Sequence, residues 1–367
     1  MLDGVTVIDV HGHLSSPPQV RAYAYNLVSL RSPGDGELQL PDEAVAAARQ
    51  RHVRVLDERG IDVQLLSPRP AAMMHWERPF IVSAWTRVTN NLIAQMCRLE
   101  PDRFVGIGQL PQNASLSTEN CLDELDRCIT ELGFAGVVVN PDPGADSSAP
   151  GMDDPYWYPL YRRAAELDAT ILVHPSLSRD PRIEPLPHSY QFNNLVQETL
   201  ATALLERGTV FAEFPGLKIV ISHGGGAPRR LLADGDVLDA TAPVPRHVTP
   251  SGEAPGGQVG IALGPAADRW HGGREHGDRQ ENLFVDTCCY DPHFLAAVLR
   301  QRGTRQVVFG TEAPGSGSHL VNPETGRPAD DVLATLRGLG FLSPEQLRAL
   351  VHDNPLRAFP LLTKALG

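Results

Sequence analysis

Eight short runs of nearly unbroken apolar residues punctuate the chain. They are VTVIDV (5–10), VQLLS (63–67), FVGIGQL (104–110), AGVVVN (135–140), TILVH (170–174), KIVISH (218–223), LFVDT (283–287) and QVVFGT (306–311). Contiguous rather than alternating apolar positions suit parallel strands covered on both faces. Amphipathic stretches with helix punctuation lie between them. PDEAVAAARQRHVRVLDERG opens with Pro and acidic residues and stops at Gly60, as helices do. STENCLDELDRCITELGF has a capping-type start and ends before Gly133. DDPYWYPLYRRAAELDA and NNLVQETLATALLERG read in the same way. Eight strand–helix alternations predict one (β/α)8 TIM barrel over residues 1–367. A doubly wound open sheet is the rival, but no strand is followed by G-x-G-x-x-G.

Two segments break the alternation. Residues 15–39, after strand one, and 224–281, after strand six, are rich in Gly, Pro or Ser and read as irregular. Loops of this length are commonly functional, so both are candidates for a lid or an oligomer contact.

Barrel active sites lie at the C-terminal ends of the strands, so the residues there matter most. Strand one ends in His11 and His13, strand two in Ser67 and Arg69, strand four in Asn140, strand five in His174, strand six in His223 and strand eight in Glu312. Strand residues i and i+2 share a face, so His11 and His13 can both look into the mouth while Gly12 permits close approach. Neutral imidazoles in such pairs bind zinc. One H-x-H is a weak signal; its recurrence with His174, His223 and Glu312 at strand ends is stronger. Among the thirteen histidines, His52, His247, His271, His276 and His352 read as solvated or structural. Arg69 suits a clamp on a substrate carboxylate, since a planar guanidinium matches that group. Ser67, Asn140, Asn194 and Tyr190 join it as candidate substrate contacts. Asp286 can orient a ligand histidine or pair with an arginine. Asp142 reads as a turn residue, Trp157 as a helix start packed on the barrel, and Cys288 and Cys289 as buried rather than catalytic.

Composition narrows the class. The 367 residues are 42% hydrophobic and 21% charged, with a formal net charge of −12. That balance fits a globular protein and argues against a nucleic-acid surface. No apolar run is long enough for a bilayer span and no secretory leader is apparent. Five cysteines without a C-x-x-C give no disulfide framework, so a cytoplasmic protein is expected.

The motifs DVHGHL, ILVHPS, IVISHGGG, VVFGTEAPG and VHDNPLRAFPL resemble the metal-dependent amidohydrolase superfamily, in the branch of aromatic-acid decarboxylases and hydratases. LLSPRPAAM, NNLIAQM, LDELDRCITELGFAGVVVNPDPG and YWYPLYRRAAELD resemble its hydratases, which carry Glu where most of the branch has Asp at the position of Glu312. The resemblance implies Zn²⁺, with Mn²⁺ as the other candidate, held by His11, His13, His174 and Glu312. It implies His223 beside the metal, acting with Glu312 as acid and base. The implied reaction is hydration of an unsaturated keto-carboxylate, with a non-oxidative decarboxylase or an amide or lactone hydrolase as rivals. A small carboxylate substrate and a homo-oligomer are the expected partners, with neither nucleic acid nor membrane.

Overall fold

The computed structural model describes residues 4–31, 38–227, 280–323 and 325–366. Eight parallel strands stand in sequence order: β1 Ile8–His13, β2 Val63–Ser67, β3 Phe104–Gln109, β4 Gly136–Val139, β5 Thr170–Val173, β6 Lys218–Ile221, β7 Leu283–Asp286 and β8 Val307–Val308. The amide of Val10 donates to the carbonyl of Phe309 at 2.8 Å and that of Glu312 to His11 at 2.7 Å, which joins β1 to the end of β8. The sheet thus curls into the expected (β/α)8 barrel.

Contiguous apolar strands now have a physical reason. One set of side chains, with Ile8, Val10, Leu65, Ile107, Val138, Leu172, Val220, Phe284 and Val308, fills the barrel. Phe359, just after the helix Asn354–Ala358, and Leu362 of the last helix join that interior. The alternate set, including Val137, Ile171, Ile219 and Val285, packs outward against the helices. Burying each such side chain is worth about 1.5–3 kcal/mol.

The first helices along the chain are α1 Pro18–Ser29, α2 Asp42–Arg59, α3 Pro79–Leu99, α4 Leu122–Thr130 and α5 Tyr158–Glu166. After β5 comes α6, Ser189–Arg207. Gly60 ends α2 in the left-handed region at φ 69°, where only glycine is free of strain. Two sequence expectations need correction. Residues 15–39 are not wholly irregular, because α1 lies within them. Its Val20 and Leu27 are buried, a spacing of seven that places both on one helical face. β1 extends beyond the apolar run to His13, as expected, and its last residues pair with β2 (Gly12 with Leu66, His13 with Ser67). β8 is only two residues long. Most of the segment 224–281, including His247, His271 and His276, lies outside the described residues. Among the described residues no helix is long and apolar enough to cross a membrane.

Candidate metal centre

β1 carries one residue more than β2 between Asp9 and Gly12. Such a bulge re-aims side chains. Val10 already points into the barrel, and the extra residue lets its neighbour His11 face inward too, with His13 beside it. Four imidazoles then meet at the mouth. Ring centroids are 4.9 Å apart for His11–His13, 5.0 Å for His11–His174, 5.2 Å for His11–His223 and 4.9 Å for His174–His223. Glu312 closes the cluster.

Each imidazole is held by its Nδ1. That atom lies 2.7 Å from Asp286 Oδ2 in His11, 2.9 Å from Ser67 Oγ in His13, 2.7 Å from the Pro175 carbonyl in His174 and 2.7 Å from Glu198 Oε1 in His223. Carboxylates and carbonyls only accept, so Nδ1 carries the proton in three of them. The Ser67 hydroxyl gives its own proton to the Gly12 carbonyl, so it too accepts from His13. The Nε2 atoms of His11, His13 and His174 are left as lone pairs aimed at the mouth, while His223, charged against Glu198, keeps a proton on each nitrogen.

Those lone pairs have no donor to meet. His11 Nε2 and His13 Nε2 are 3.3 Å apart, and His13 Nε2 is 3.1 Å from Glu312 Oε1. His174 Nε2 is buried without a partner. Ligand atoms of His11, His174, His223 and Glu312 lie within 4.8 Å of one another, and His13 touches the set through His11 and Glu312. Converging buried acceptors are costly unless a cation sits among them. Two nitrogens on a tetrahedral ion at about 2.0–2.1 Å would stand about 3.3 Å apart, as His11 and His13 do. The residues present therefore fit a divalent metal.

Protonation agrees. Burial lowers His13 to about 4, although Glu312 pulls the other way. Burial and the neighbouring imidazoles hold His174 well below its usual value. Burial alone would raise Glu312, but its contact with His13 and the other histidines outweighs this and keeps it ionised. Burial also opposes a charge on His223, yet Glu198 overcomes it and lifts the imidazole to about 10. His223 and Glu312 are the open members of the site, with side chains 17% and 16% exposed. Both sit in the left-handed region, at φ 48° and 62°, strain of a kind that collects at functional sites.

The other candidates fall at different distances from the cluster. Arg69 is exposed and close enough for its charge to act on His13. It lines a cavity of about 590 Å³ with Leu14, Ser16 and Trp76. Ser67 is committed to His13. Asn140 is buried, 3.4 Å from His75 Nδ1, and accepts from the Asp142 amide. Asn194 is buried on α6, and Tyr190 stands exposed near its start beside His188. Trp157, Cys288 and Cys289 are buried as expected. Two residues escaped sequence reasoning. Glu198 sits in an apolar stretch of α6, where a lone acid was itself a signal. Tyr290, whose hydroxyl donates to Glu312 Oε2 at 2.7 Å, gives no such sign.

Comparison with known proteins decides the family, since the amidohydrolase model matches residues 8–361. The chain belongs to the amidohydrolase family. This amidohydrolase is 29% identical to 2-keto-4-carboxy-3-hexenedioate hydratase of Sphingobium sp. over 98% of both chains. It is 34% identical to gamma-resorcylate decarboxylase of Rhodococcus jostii over 71% of this chain and 76% of that one. Among solved structures, 4-oxalomesaconate hydratase from Rhodopseudomonas palustris superposes with a TM-score of 0.77 at 26% identity, covering 98% of each chain.

Proposed function

We propose that this amidohydrolase is a zinc-dependent hydratase of an unsaturated keto-carboxylate of the 4-oxalomesaconate type, in the breakdown of aromatic acids. Convergence of the Nε2 atoms on Glu312, together with full-length likeness to two hydratases, carries this reading. His11, His13, His174 and Glu312 would hold the metal, zinc before manganese, with His223 at its edge. The ligand-atom cluster also admits His223 in place of His13, and metal content of His13→Ala against His223→Ala separates the two sets.

Bound there, zinc would supply Lewis acidity and bring the pKa of a water down to about 7. The protein's own residues do the rest. Arg69, exposed at the mouth, binds a substrate carboxylate and withdraws charge as the enolate develops. His223, propped by Glu198, moves a proton at the alkene carbon from its open side, with Glu312 as its counterpart. Asn140, Asn194 and Tyr190 are the further substrate contacts in this reading.

A homo-oligomer is supported by the outer face of α6, where Phe192, Val196 and Leu200 are 50%, 43% and 52% exposed. Five free cysteines suit the cytoplasm. The rival is decarboxylation of a hydroxylated aromatic acid, favoured by the Rhodococcus relative and opposed by Glu312. The test is zinc-loaded protein mixed with 4-oxalomesaconate while the absorbance of the conjugated system is followed. Loss of absorbance with uptake of one water supports the hydratase. No change, with CO₂ released from a dihydroxybenzoate, replaces it with the decarboxylase.

A further inference from the structure

Glu312 is gripped at both oxygens. Oε1 faces His13 at 3.1 Å, and Oε2 accepts the Tyr290 hydroxyl at 2.7 Å. Tyr290 lies four residues beyond Asp286, the end of β7, so a different strand end from that of Glu312 supplies the second hold. The ring has a made place. A Cβ on residue 317 would stand 2.6 Å from its Cζ, and Gly317 leaves that space open. Ser316 Oγ is the other hydroxyl near Oε2, but at 3.5 Å it is too far for a strong hydrogen bond.

We propose that Tyr290 is the positioning residue for Glu312, its O–H fixing Oε2 so that Oε1 alone is presented to the metal. This rests on the reading of Glu312 as a metal ligand. A carboxylate free at both oxygens can close over a cation with two contacts; one tied by a phenol offers a single contact and leaves a coordination position for water or substrate. It also gives the extra methylene of Glu312 a purpose. An aspartate, one carbon shorter, cannot reach both the imidazole cluster and the Tyr290 hydroxyl from the same backbone position. Glu312 and Tyr290 would then work as a pair, and neither would be of use in its role without the other.

The experiment is a double-mutant cycle on zinc affinity, read by competition with a chelator on the full chain. The proteins are wild type, Tyr290→Phe, Glu312→Asp and the double variant. Tyr290→Phe is expected to weaken zinc about 10- to 100-fold, as loss of an outer partner of a ligand does. The metal-free melting midpoint should stay unchanged, and kcat should fall with KM within about twofold. The double variant should bind zinc no worse than Glu312→Asp alone, because the hydroxyl then has nothing to hold. Ser316→Ala should bind zinc as wild type does. Additive losses, unchanged affinity in Tyr290→Phe, or a loss matched by a lower metal-free melting midpoint would overturn the proposal. Wild-type protein that takes up no zinc overturns the metal reading and this proposal together, whereas a full complement of zinc with no hydration overturns the substrate alone.

Discussion

Two buried polar regions sit side by side at β1 and do opposite things. On the barrel wall facing α2, Asp9 Oδ1 receives the amides of His11 and Thr311, and Oδ2 receives Gln64 Nε2 at 2.7 Å and Thr311 Oγ1 at 2.6 Å. Gln64 also gives to the Ala313 carbonyl and takes from His52 Nε2. Every acceptor of Asp9 and Gln64 has met a donor. A few ångströms away at the mouth, acceptors face acceptors and His174 Nε2 faces nothing. Both regions contain histidines at depth. The wall is glue, because every acceptor of Asp9 and Gln64 is met and only His52 Nδ1 is left over; the mouth has the makings of a binding site, because its facing acceptors lack a shared cation. Burial and residue type do not separate the two; the balance of donors and acceptors does.

The sharpest way to break the contrast is to delete a member of the mouth. His11→Ala should drop zinc from about one per chain to near none and slow hydration by roughly a thousandfold, about 4 kcal/mol of barrier. Elemental analysis and initial rates check this, and the fold should survive. The wall should answer in stability instead. In Gly12→Ala the new methyl would stand 2.0 Å from Gln64 Cδ, which drives Gln64 out and orphans Asp9. About 3 kcal/mol of stability should be lost in chemical unfolding of the metal-free protein.

Acid sharpens the same division. Burial lowers His52 from 6.5 to about 4, against the pull of Gln64. Between those values the folded chain binds fewer protons than the unfolded one. Stability present above pH 6.5 is therefore lost as pH falls towards 4, by up to about 3 kcal/mol. The metal-free melting midpoint of wild type should fall more steeply across this window than that of His52→Gln. The smallest effect is Ser67→Ala. It removes the acceptor for His13 Nδ1 and should weaken zinc about tenfold in chelator competition with little change in melting.

Much of this was legible in the chain. The eight apolar runs mark the strands because a parallel barrel buries both faces of each strand, and His11, His13, His174, His223 and Glu312 converge because strand ends do. Asp286 was visible as a carboxylate at a strand end, and it orients His11. What escaped depends on contacts between distant segments. The apolar run of β1 ends at Val10, and pairing with Leu66 and Ser67 keeps the polar His-Gly-His extended beyond it. The bulge that turns His11 inward is a mismatch of register with β2 and has no local signature. Tyr290 stands in a loop, and its partner is 22 residues away. α1 was hidden by the Gly- and Pro-rich residues that come after it.

His13 and Glu312 are 299 residues apart in the chain, and that separation has a consequence in time. At about 5–20 residues per second, a ribosome adds Glu312, the last candidate ligand, roughly 15–60 s after His11 and His13. Until β8 is made and laid beside β1, His11 has Asp286 at its Nδ1 but the Nε2 atoms of His11 and His13 lack the carboxylate of Glu312. A metal held at this cluster would therefore be selected by the completed barrel rather than by the emerging chain.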